Sequence, residues 1–212
     1  MLGIDISRNL VAAAKARAAN EGLTNFRCQE GDASDLAGIA DDSFDLVISI
    51  FGAMFAPRPL DVAREMVRVT RPGGRIVMGN WIPGDPTLVA QILKISATYS
   101  PPPPEGFISP MTWGQDDQVR ERFGAAGLPP EQVSCTRATY TFRHPGSPAE
   151  FLGLFRQYYG PTMNAYEAAA RDGRDAELHA ELEDLFASCN TAQSPDRTVI
   201  PATFLQVSAA VP

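Results

Sequence analysis

The stretch SFDLVISIF, Ser43–Phe51, decides the fold class. Leu46, Val47, Ile48 and Ile50 form a nearly continuous apolar run, the pattern of a parallel strand covered on both faces, and this places it at the centre of a sheet. Upstream, MLGIDIS offers a shorter strand, Leu2 to Ile6, with Asp5 near its end. Ser7 is placed to cap a helix whose Leu10, Val11, Ala14 and Ala18 recur on one face until Gly22 stops it. Residues 25–30 read as another strand, closed by Gly31-Asp32. Downstream, Pro59 suits the first turn of a helix carrying Leu60, Ala63, Val67 and Thr70 on one face. The run RPGG (Arg71–Gly74) ends that helix, and RIVMGNW (Arg75–Trp81) is the next strand. Strands alternating with helices argue for an α/β fold with a parallel, doubly wound sheet and right-handed crossovers.

Beyond Trp81 the alternation loosens. Residues 87–98 read as a helix, and SPPPPEGFISPMTWG (Ser100–Gly114), with five prolines, as an extended loop of the kind that serves as a lid or binding loop. Residues 115–126 form a helix ended by Gly127. Residues 134–143 alternate as a half-buried strand, helices fit 148–159 and 176–188, and a last strand lies within 199–211. We expect a single domain over 1–212: a partial cofactor-binding half at 1–82, a lid and acceptor region at 83–132, and a closing strand pair with intervening helices at 133–212.

Composition narrows the function. The 18 Lys and Arg against 25 Asp and Glu give a net charge of −7, and no basic stripe could track phosphates, so nucleic acid is not an expected partner. Cys28, Cys135 and Cys189 are widely spaced and odd in number, the pattern of reduced packing thiols in a cytoplasmic setting. No apolar run approaches the roughly 20 residues that span a bilayer, so no membrane association is expected.

In open parallel sheets ligands bind beyond the carboxyl ends of the strands, so the first residues after each strand carry the chemistry. Asp5 can accept two hydrogen bonds from a ribose diol; it could equally serve a dinucleotide-binding fold or cap the following helix. In GDASDL (Gly31–Leu36), Asp32 and the Ala33 N–H could read the edge of an adenine, or Gly-Asp-Ala-Ser could be a plain turn. His144 and His179 are the only histidines, and each is either a base or a locally bonded imidazole.

Taken together and in order, G-I-D-I-S, G-D-A-S-D-L, F-D-L-V-I-S-I-F and R-x-x-R-P-G-G-R-I-V-M resemble the class I S-adenosylmethionine-dependent methyltransferases, specifically the small-molecule branch that includes the ubiquinone and menaquinone C-methyltransferases. The resemblance covers Leu2 to about Trp81 by motif and the remainder by element order; nucleotide-dependent oxidoreductases lack the RPGG turn before a strand. It implies a Rossmann-like fold, S-adenosyl-L-methionine as cofactor and methyl transfer to a small, fairly hydrophobic acceptor. It assigns Asp5 to the ribose hydroxyls, Ile6 to packing near the adenine, Asp32 and Ala33 to the adenine edge, and Ile50 and Phe51 to the methionyl part. The acceptor pocket is expected from Met54, Phe55, Asn80, Trp81, Trp113, Tyr158 and Tyr159, unless these groups simply fill the core. No general base and no metal are assigned.

The family sheet has seven strands, ordered 3-2-1-4-5-7-6, and six can be assigned here, numbers two to seven. The first strand, with its glycine-rich loop under the methionine moiety, has no counterpart, so the resemblance implies a chain shortened at its N-terminus, impaired in cofactor binding, and with central strands left unpaired at about 1 to 3 kcal/mol per buried group. The alternative is an inactive methyltransferase-like fragment acting as a binding module, with an open edge beside Ile4 and Ile48.

Overall fold

The computed structural model describes residues 1–212. Six strands and seven α-helices follow one another as β1 (Leu2–Asp5), α1 (Arg8–Asn20), β2 (Arg27–Glu30), β3 (Phe44–Ile50), α2 (Pro59–Val69), β4 (Thr70–Trp81), α3 (Leu88–Tyr99), α4 (Asp116–Ala125), β5 (Val133–His144), α5 (Pro148–Tyr158), α6 (Gly160–Arg171), α7 (Asp175–Cys189) and β6 (Thr198–Ala210). Hydrogen bonding orders them as β1-β2 in one sheet and β3-β4-β6-β5 in another. These are the neighbour relations 3-2 and 4-5-7-6 that the resemblance implies for strands two to seven.

The chain divides into two compact units, the first comprising residues 1–80, 108–135 and 206–212, the second residues 81–107 and 136–205. In the first unit, β1 runs parallel to β2 with Ile4 opposite Gln29 and Asp5 opposite Glu30. Strand β3 runs parallel to β4, with Ile48 opposite Val77 and Ile50 opposite Gly79. The register jumps between Phe44, opposite Thr70, and Leu46, opposite Arg75, so the RPGG segment bulges out of the start of β4. Gly73 at φ +79° makes that bulge, and Val211 closes it by accepting from the Gly73 N–H and donating to the Gly74 carbonyl.

Local chemistry explains the helix starts. The Ser7 hydroxyl accepts from the Leu10 N–H and caps α1. Pro59 opens α2, and Ser147 with Glu150 forms a reciprocal capping box on α5. On α2 the buried positions Val62, Ala63, Met66 and Val69 form one face. Arg68 leaves that face and gathers the 36–41 loop: it donates to the Leu36 and Ile39 carbonyls and pairs with Asp41 and Glu65, while Glu65 accepts from the Leu36 N–H.

The second unit is a helical layer over strand. Helices α3, α5, α6 and α7 enclose Leu88, Ile92, Leu152, Leu178, Leu182 and Phe186, and Ile200 of β6 joins the same core. Phe142, Phe151, Phe155 and Phe186 interlock at centroid separations of 5.2–5.8 Å, edge-to-face except for the tilted Phe142–Phe151 pair. Most aromatics after residue 140 are thus spent on packing. No helix is long and apolar enough to cross a membrane.

Strand β3 departs from its sequence reading. Instead of being central and covered on both faces, it is the edge of its sheet, and Leu46, Ile48 and Ile50 are 42%, 59% and 52% exposed. The apolar run of a covered strand is present, but what would cover it on one side is not a neighbouring strand.

Candidate cofactor and acceptor site

That open side of β3 borders a cavity. A space of about 520 Å³ in the first unit is walled by Leu2 and Ile4 of β1, Leu46, Ile48 and Ile50 of β3, and the segments that follow these strands. β1 and β3 share no ladder, and residues of both strands wall the cavity. Its volume falls in the range of small-molecule sites, about 300–1,000 Å³. Its polar side chains are Asp5, Asp32 and Ser49; the rest of the wall is aliphatic, aromatic or glycine.

Five of the six expected cofactor residues, Asp5, Ile6, Asp32, Ala33 and Ile50, line this one cavity. Strand geometry brings them there: β1 and β2 are parallel and in register, so Asp5 and the Gly31-Asp32 step leave the sheet at the same end, tied by the Gly31 N–H donating to the Asp5 carbonyl. Phe51, between Ile50 and Gly52 of the cavity wall, adopts φ +56°, a conformation rarely populated by a bulky side chain. Its N–H donates to the Gly79 carbonyl, and the Ala53 N–H is received by the Ser49 hydroxyl, so the chain folds back at once after β3.

Both carboxylates are partly engaged. Asp5 accepts from the N–H of Ser7 at 2.7 Å through one carboxylate oxygen, so it braces the residue that caps α1 rather than capping the helix itself. One Asp32 oxygen accepts from the Ser34 N–H and hydroxyl at 2.8 and 2.7 Å, the turn chemistry of an Asx motif. The other faces Arg58 at 3.9 Å. The Ser34 N–H first, then its hydroxyl and the Arg58 charge, hold the Asp32 carboxyl below the usual range, so it is an anion at neutral pH. Ile6 lines the cavity yet is 73% exposed, an apolar surface waiting for a cover.

The expected acceptor residues separate. In the first unit, Phe55 lines the cavity, Met54 is buried in the core beneath it, and the turn Pro110–Gly114 bearing fully buried Trp113 packs on the turn Ala53–Phe55. Asn80 ends β4 buried, with no partner for either carboxamide atom. In the second unit, Trp81 meets Phe204 edge-on, and burial pushes the Tyr159 hydroxyl up, opposed by a hydrogen bond from Trp81. Tyr158 is 71% exposed and encloses nothing. His179 bonds the Tyr166 hydroxyl at 2.7 Å and approaches Glu183, and His144 stacks on Phe151, so both imidazoles are locally engaged. No cluster of His, Cys, Asp and Glu could hold a metal. Sequence reasoning missed Arg58 beside Asp32 and the strained Phe51; the Pro57-Arg58-Pro59 step marks the first, and nothing local marks the second.

Residues 1–78 match the methyltransferase domain family model. An uncharacterised protein of Mycobacterium tuberculosis is 35% identical over 185 residues, covering 85% of this chain, and the chain spans 64% of that relative's length. A demethylmenaquinone methyltransferase of Halalkalibacterium halodurans is 41% identical over 75 residues, 35% of this chain and 30% of its own. Among solved structures, phosphoethanolamine N-methyltransferase 2 of Haemonchus contortus, in complex with phosphomonomethylethanolamine and S-adenosylhomocysteine, superposes with a TM-score of 0.55 at 14% identity over 100% of this chain and 44% of its own. The chain has the Rossmann-like α/β fold of the class I methyltransferases, and its residues 1–78 match a methyltransferase domain.

Proposed function

We propose that the chain serves S-adenosylmethionine-dependent methyl transfer to a small, fairly hydrophobic acceptor. The observation that carries this reading is the cavity at the ends of β1 and β3, where Asp5 and Asp32 stand as two separate carboxylates on an otherwise apolar wall. Asp5 would hold the ribose hydroxyls through the oxygen not bonded to Ser7, and Asp32 with Ala33 the adenine edge. Ile6 and Ile50 would pack on the rings, and Phe51 would abut the methionyl part. When bound, S-adenosylmethionine brings its own electrophile, a sulfonium methyl, so the protein's part is alignment and exclusion of water. Phe55, Met54, Asn80 and Trp113 of the first unit remain our acceptor assignment; the other expected acceptor residues, Trp81, Tyr158 and Tyr159, belong to the second unit.

Cofactor binding by this chain is weak in our reading. The aliphatic flank between β1 and β3 offers no backbone donor loop and no charged partner for the amino-acid end of the cofactor, and the exposed β3 edge supports a second reading in which the chain is an inactive binding module that takes an extended partner strand. Incubation with methyl-labelled cofactor and a panel of small hydrophobic acceptors tests the first reading. Label recovered in an acceptor above the level of an Asp5→Asn control supports it; cofactor binding without any transfer across the panel favours the second.

A further inference from the structure

Helix α4 buries a guanidinium that has no anion. Arg122 is 7% exposed and makes no ion pair; its Nη2 donates to the Thr112 hydroxyl at 2.6 Å, and its Nη1 is buried with no acceptor. Thr112 cannot serve as a counter-charge, being neutral and already donating to the Ser109 carbonyl. The guanidinium carbon sits 4.8 Å from the centre of the Trp113 ring, and the fully buried Trp113 also has its Nε1–H without an acceptor. A stacked ring is a poor substitute for an oxygen. Buried donors almost always find a partner, and a buried charge left alone is among the costliest features a fold can carry. Burial lowers the pKa of Arg122, as expected of a cation held away from water, and the charge of neighbouring Glu121 opposes it.

Two unpaired donors, on a guanidinium and on the ring it stacks against, call for one acceptor with more than one oxygen and a negative charge. We propose that Arg122 Nη1 and Trp113 Nε1–H together bind the carboxylate of a small organic acid. A planar carboxylate suits the fork of a guanidinium, which presents its donors in one plane. The turn bearing Trp113 packs on Ala53–Phe55, and Phe55 lines the cavity, so the apolar body of such an acid has a wall to follow. If the cavity is the methyl-transfer site, the acceptor is an apolar carboxylic acid; that identification rests on the functional reading above, whereas the anion site does not.

Thermal unfolding of the 212-residue chain, without cofactor, in the presence of benzoate, benzamide or sulfate tests the site. Benzoate is expected to raise the midpoint in proportion to its concentration, with an apparent affinity at least about tenfold above those of benzamide and sulfate, since only it offers a planar anion. Arg122→Met, which keeps the aliphatic bulk, is expected to abolish the benzoate response, and Trp113→Phe to weaken it. Equal protection by benzamide, stronger protection by sulfate, an undiminished response in Arg122→Met, or no response of the native chain to millimolar benzoate would each overturn the proposal. The ligand comparison on the native chain decides the matter even where the variants fail to fold. Benzoate protection in a chain that never transfers a methyl group would refute the functional reading and leave the anion site standing.

Discussion

The Phe51 N–H donates to the Gly79 carbonyl at 2.9 Å, and this bond anchors a phenylalanine at φ +56° where β3 ends against the cavity. A side chain with a Cβ pays roughly 1–2 kcal/mol for left-handed backbone, and glycine does not. Phe51→Gly and Phe51→Ala both lose the ring, so the backbone term separates them. Phe51→Gly is expected to be the more stable variant by about 1 kcal/mol in urea denaturation. The reverse order would mean that the backbone relaxes once the ring is gone.

Gly74 has no room for a side chain. A Cβ there would stand 2.7 Å from the Arg71 carbonyl and from the Thr70 methyl, and 3.1 Å from the Asp45 carbonyl. Two of these neighbours are backbone and cannot turn away. Gly74→Ala should therefore cost about 1–3 kcal/mol, as overpacking does, and slacken the start of β4. Hydrogen exchange at the Val211 amide, which is bonded to the Gly74 carbonyl, should accelerate in the same variant.

The acid limb of stability is written in Glu65. Its bond with Arg68 first, and the Leu36 N–H after it, hold its carboxyl below the ordinary glutamate value of 4.5 despite partial burial. A carboxyl depressed in the folded state stabilises above the unfolded pKa and loses that contribution as pH falls through the folded one. Urea midpoints should be flat above about pH 5 and decline below it. Glu65→Gln should be less stable at pH 7 and show a shallower decline, because the proton-linked part of the 36–41 clasp is then missing. A decline of equal slope in both chains would assign the acid sensitivity elsewhere.

Cys135 should behave as a packing residue. Burial first, with Asp116 adding to it, pushes the thiol up to about 12, so little thiolate exists at pH 8. Alkylation of Cys135 in the native chain at pH 8, followed by peptide mapping, should run at least about tenfold slower than in urea. Equal rates would show that the strand opens locally.

Much of this architecture was legible from residue pattern because its determinants are local. Ser7 as a cap and Pro59 at a helix start each act within a few residues, and the structure has both; β5 forms as a strand, but its burial does not alternate, since Thr136 and Tyr140 of the expected face are exposed. Helix α6 was not read, since Gly160-Pro161 looks like a break; yet the proline takes the first turn, where its missing N–H costs nothing, and Ala165, Tyr166 and Ala169 bury the face beyond it. The apolar run of β3 by itself reads as a central strand, because such a run reports what a strand is suited to touch; edge or centre depends on partners distant in sequence, and the open edge beside Ile48 follows only from counting strands against the family order. The site divided the same way. Residues that follow strands, such as Asp5 and Asp32, were readable from strand ends. Arg122 was not, because a charge on a helix reads as solvated until its burial and its missing counter-ion are seen.

In our proposal the chain keeps the adenosine half of a cofactor site while the methionine half lacks donors. Calorimetric titration with S-adenosylmethionine and with adenosine, side by side, separates the two halves. Weak binding of both is expected, with dissociation constants above about 100 μM and within about threefold of each other. Asp5→Asn, which keeps an oxygen for the Ser7 N–H but loses the charge, should weaken both by about tenfold. Low-micromolar binding of S-adenosylmethionine with far weaker binding of adenosine, or indifference of both to Asp5→Asn, would contradict it.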